Sequence, residues 1–107
     1  DPDPASAGAR ELLEETGYTG KSARIIGSVC PNPALQGNIC YTVKIDGATC
    51  SGEPQMEATE AIETVILPES DIMDMIRGGD IRHGLVLNAL MFHFLDKNKA
   101  MNTEKKQ

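Results

Sequence analysis

The stretch Arg10-Glu11-Leu12-Leu13-Glu14-Glu15-Thr16-Gly17-Tyr18 constrains this chain more than any other. It reads as the end of a helix spanning residues 4–16. Asp3 offers a side chain that can cap the first turn, and Pro4 suits the first helical position. Gly17 offers a left-handed stop. Residues three and four apart share a helix face, so Glu11, Glu14 and Glu15 fall together on one side. Ala5, Ala9, Leu12 and Leu13 are expected on the other, facing a core. Arg10 stands one turn before Glu14, where it can pair with that carboxylate and hold it in place. Three neighbouring carboxylates repel one another unless a cation lies among them. Hard divalent ions such as Mg²⁺ take oxygen ligands, usually a few carboxylates completed by substrate phosphates.

Taken alone, three acids on a helix face are most often a solvated surface. The complete string is more specific. Arg-Glu-aliphatic-x-Glu-Glu-x-Gly followed by an aliphatic or aromatic residue resembles the second half of the Nudix box, and residues 10–18 carry every fixed position of it. In the first half of that box, an upstream glutamate position falls on Pro2. The resemblance implies an α/β fold with a mixed sheet, the Nudix α/β/α sandwich, incomplete within this chain. Residues 1–96 would be the C-terminal portion of such a domain and residues 97–107 a polar, basic, disordered tail. It further implies hydrolysis of a pyrophosphate bond with Mg²⁺, or Mn²⁺, as cofactor. Glu14 and Glu15 would hold the metal, Glu11 would be a further ligand or help to activate water, and Arg10 would support them.

The later part of the chain resembles one branch of that family, the ADP-ribose and nucleoside-diphosphate-sugar pyrophosphatases. The family's Ser-Pro-Gly corresponds to Asn32-Pro33-Ala34, and Pro33 and Gln36 lie in a loop expected to touch substrate. An acidic residue from residues 52–60, Glu60 or Glu57, is expected to assist the attacking water. The family's strands that precede the acidic helix have no counterpart here, so a homodimer or a second, completing chain is expected. A non-catalytic reading stands beside the enzymatic one: a Nudix remnant that keeps the helix and serves as an interaction or structural protein.

Composition narrows the partners. A net charge of −6 disfavours nucleic-acid backbone binding, which needs a basic face. It leaves a nucleotide substrate open, because a bound cation inverts the local charge. No apolar run approaches the roughly 18 residues of a membrane span. Cys30, Cys40 and Cys50 are odd in number and form no C-x-x-C pair, which argues against a disulfide framework or a zinc site. Three reduced thiols in a cytoplasmic protein are expected. Cys30 and Cys40 should pack as small hydrophobes.

The remaining elements follow from periodicity and breakers. Residues 23–30, 38–46 and 61–67 are apolar or alternating runs rich in β-formers and are expected as strands. Pro31, Pro33 and Gly37 punctuate a loop. Pro68 and the acids after it open a helix, with Ile72, Met73, Met75 and Ile76 as its buried side and Gly78-Gly79 as its stop. Residues 83–95 are so apolar that they predict a largely buried helix. His83 is placed to cap or pair near its start. His93 is expected as a packed or surface histidine, since no partner ligand is visible in the sequence.

Overall fold

The computed structural model describes residues 3–32, 34, 37–54 and 62–106, with residues 100–106 by backbone alone. The elements run in the order α1 (Pro4–Thr16), β1 (Tyr18–Thr19), β2 (Ser22–Val29), β3 (Cys40–Asp46), β4 (Thr49–Cys50), α2 (Glu69–Arg77) and α3 (Gly84–Lys106). Helices and small sheets together make a mixed α/β fold. β1 pairs with β4, and β2 pairs with β3. Two units divide the chain, Asp1–Ile25 with Val43–Ile66 and Ile26–Thr42 with Leu67–Gln107.

In the first unit, α1 begins and ends where its residues dictate. The Asp3 carboxylate accepts from the Ser6 backbone N–H at 2.8 Å and from the Ser6 hydroxyl at 2.9 Å. Those two bonds hold the Asp3 carboxyl below its ordinary range, the backbone bond having the larger effect. At the other end Gly17 takes φ 78°, and its N–H donates to the Leu13 carbonyl. The β1–β4 ladder is antiparallel, with Tyr18 opposite Cys50 and Thr19 opposite Thr49. The Lys21 N–H donates to the Asp46 carbonyl at 2.8 Å. The start of β2 thus meets the end of β3, and Arg24 lies 3.4 Å from the Asp46 carboxylate.

In the second unit, α3 packs on β2. Phe92 lies where a Cβ on residue 27 would stand, so only glycine admits its ring. α2 has acids in its first turn and Arg77 in its last, 3.1 Å from Asp74. Gly79, not Gly78, takes the left-handed conformation after it, with φ 83°. The His83 ring accepts the Leu85 N–H at 3.2 Å, and its carbonyl accepts the Leu87 N–H at 3.0 Å. His83 therefore caps α3. Glu69 ties α2 to α3, with one carboxylate oxygen 3.0 Å from His93 Nε2 and the other bonded to the Lys97 ammonium.

Several expectations are corrected. Residues 62–67 form no strand, because their backbone enters no ladder among the described residues. Hydrophobic alternation supplies a face for a strand, but only a neighbouring backbone makes one. Ile62, Val65 and Ile66 of this run are 40%, 64% and 75% exposed. Leu13 and Met73, expected on buried faces, are exposed. Leu13 sits roughly 80° around α1 from the Ala5–Ala9–Leu12 stripe. Met73 is likewise about 100° from Ile72. Cys30 is exposed rather than packed, since it falls just past the end of β2. α3 runs on through residues 97–106, as far as Lys106. That segment contains no glycine or proline to stop it. Among the described residues no hydrophobic side chain is fully buried.

Candidate active site on the acidic helix

The caps at Asp3 and Gly17 fix the phase of α1, and the phase fixes where its acids point. At about 100° per residue, Glu11, Glu14 and Glu15 occupy an arc of roughly 100° away from the Ala5–Leu12 stripe. Glu11 is exposed, while Glu14 and Glu15 are partly buried. Arg10 Nη1 lies 3.5 Å from Glu14 Oε1, the i,i+4 pair that the sequence suggests. With both side chains nearly half exposed, this pair contributes little stability, and its effect is on where the carboxylate points.

No three His, Cys, Asp or Glu side chains among the described residues come together closely enough to hold a metal by themselves. The donor chemistry nevertheless fits a hard divalent cation. Such a site needs only one or two carboxylates when substrate phosphate and water complete the shell. Pro33, Gln36, Glu57 and Glu60, the other residues expected at the site, lie outside the described residues, as does Pro2.

A feature with no local signal joins the helix to the segment after β4. The Ser51 N–H donates to the Gly17 carbonyl at 2.8 Å, and the Ser51 hydroxyl donates to the same oxygen at 3.2 Å. A Cβ on Gly17 would collide with the Gly52 carbonyl oxygen, so the positive φ and the close approach both require glycine here. Strands of two residues are too short to show a period, and Ser51 lies 34 positions from Gly17. Nothing in the neighbourhood of either residue announces the other.

The cysteines form no disulfide, and Cys50 Sγ points to the Gly52 carbonyl at 3.7 Å. His93, expected without a ligand role, has Glu69 as its partner. No helix among the described residues is long and apolar enough to cross a membrane.

Comparison with known proteins gives two informative relatives. The chain is 27% identical over 96 residues to an ADP-sugar pyrophosphatase of Mus musculus, covering 85% of this chain and 44% of that protein. It is 35% identical over 77 residues to a CMP-5'-(N-acetyl-N-hydroxy-3-aminopropyl)phosphonate hydrolase of Streptomyces rubellomurinus, covering 72% of this chain and 37% of that protein. The chain thus spans less than half the length of either relative. No family model matches it.

Proposed function

We propose that this protein is a Mg²⁺-dependent Nudix-type hydrolase that cleaves the pyrophosphate bond of a nucleoside diphosphate derivative, ADP-ribose or a nucleotide sugar first. The observation that carries the reading is the capped helix α1, whose phase sets Glu11, Glu14 and Glu15 on one side with Arg10 against Glu14. The similarity to a pyrophosphatase and to a second hydrolase supports it.

In this reading Glu14 and Glu15 hold the cation and Glu11 is a further ligand or orients the water. Arg10 fixes the Glu14 carboxylate through their ion pair. Glu60, or Glu57, takes the proton of the attacking water. Pro33 and Gln36 border the substrate. Mg²⁺, when bound, neutralises phosphate charge and polarises water. The carboxylates would hold the cation, and the cation's charge is what makes the acidic chain compatible with an anionic substrate.

A second reading, a non-catalytic interaction protein, draws support from the carboxylates' not converging as a trio among the described residues. A phosphate-release assay coupled to a phosphatase that acts on the two monophosphate products but not on the intact diphosphate, run against a panel of nucleotides with and without Mg²⁺, separates the two. Hydrolysis that needs the cation is expected. No release on any substrate would leave the non-catalytic reading.

A further inference from the structure

The carboxylate helix ends at a junction built more tightly than its surroundings. Gly17 is buried, whereas no residue of α1 is. Its carbonyl oxygen has two lone pairs, and Ser51 fills both, one from the backbone and one from the side chain. The backbone bond extends the β1–β4 ladder beyond Tyr18 and Cys50. A two-stranded ribbon of this length is marginal by itself, so an added side-chain bond at its end matters. The absent Cβ at Gly17 lets Gly52 close onto the helix end, with the Glu53 backbone directly behind.

We propose that Ser51 is a positioning residue for hydrolysis, clamping the Gly17 carbonyl with its N–H and hydroxyl so that the Gly52–Glu53 backbone stays anchored at the end of the carboxylate helix. The inference rests on the hydrolase reading above. Ser51 itself touches neither substrate nor metal in this scheme. Its action is through the Gly52–Glu53 backbone, which it fixes relative to Glu14 and Glu15. Positional errors of about 1 Å are enough to slow a reaction severely. A hydroxyl at residue 51 is what the clamp requires, and Ser51 is exposed enough to admit the extra methyl of threonine.

The test compares Ser51→Ala and Ser51→Thr with the unmodified protein, using Mg²⁺ and ADP-ribose for steady-state kinetics and amide hydrogen exchange for the junction. Ser51→Ala is expected to lower kcat about tenfold. KM should stay within about twofold, the signature of an interaction that matters in the transition state. Amide exchange at residue 51 should quicken, and Ser51→Thr should restore most of the rate. A wild-type kcat in Ser51→Ala, or equal impairment of both variants, would overturn the positioning role while leaving the hydrolase reading intact. If the unmodified protein shows no metal-dependent hydrolysis, the hydrolase reading fails. Faster exchange in Ser51→Ala would then mark the clamp as structural only, which also overturns the proposal.

Discussion

Arg10 Nη1 lies 3.5 Å from Glu14 Oε1, across one turn of α1. The pair matters because it orients an acid on the face that Glu11 and Glu15 share. Glu15→Gln keeps that shape and removes one of the charges proposed to hold the metal. A loss of at least ~10²-fold in kcat is expected, about 2.7 kcal/mol of transition-state stabilisation. Steady-state kinetics across a Mg²⁺ titration checks it, and unchanged turnover would sink the metal assignment. Glu57→Gln and Glu60→Gln belong in the same experiment. If neither slows the reaction, residues 52–60 carry only solvated charge.

The substrate prediction rests on likeness to the diphosphate branch. ADP-ribose or a nucleotide sugar should be hydrolysed with a higher kcat/KM than any nucleoside triphosphate. Competition between the two classes under limiting Mg²⁺ measures this directly, and a clear preference for triphosphates would reject the placement.

Acid should loosen the tie between α2 and α3. Lys97 first, and His93 second, hold the Glu69 carboxyl below its ordinary value of 4.5. A depressed carboxyl contributes stability above its unfolded value and loses it as pH falls through the lower, folded one. The contribution is thus intact near neutrality and is lost progressively as pH falls below about 4.5. Thermal unfolding followed from pH 7 to 3 should show a steeper acid loss in the unmodified protein than in Glu69→Gln. Parallel curves would show that the Glu69–His93–Lys97 cluster adds nothing to stability.

The exposed apolar run of Ile62, Val65, Ile66 and Leu67, together with the lack of any fully buried hydrophobic side chain among the described residues, predicts association. Apolar patches of this kind mark interfaces. A homodimer, or a complex with a completing chain, should bury above about 2,000 Å². Light scattering on the purified protein is expected to give a mass above 11.5 kDa. A stable monodisperse monomer would contradict it.

The sequence by itself determined α1 completely. Its cap, proline, stop and acidic face depend on residues at most one turn apart, so Asp3, Pro4, Arg10, Glu14 and Gly17 specify them without help. β2, β3, α2 and the capping of α3 by His83 were legible for the same local reason. What only the tertiary structure decided lies between residues far apart in the chain. Residues 62–67 have the composition of a strand, yet no described backbone pairs with them. Glu69 finds His93 and Lys97 only because α2 and α3 meet within one unit. Ser51 reaches Gly17 through a ladder too short to leave a pattern in the sequence. Helix caps close within a single turn, whereas a ladder or an inter-helix ion pair needs a partner that local sequence cannot supply.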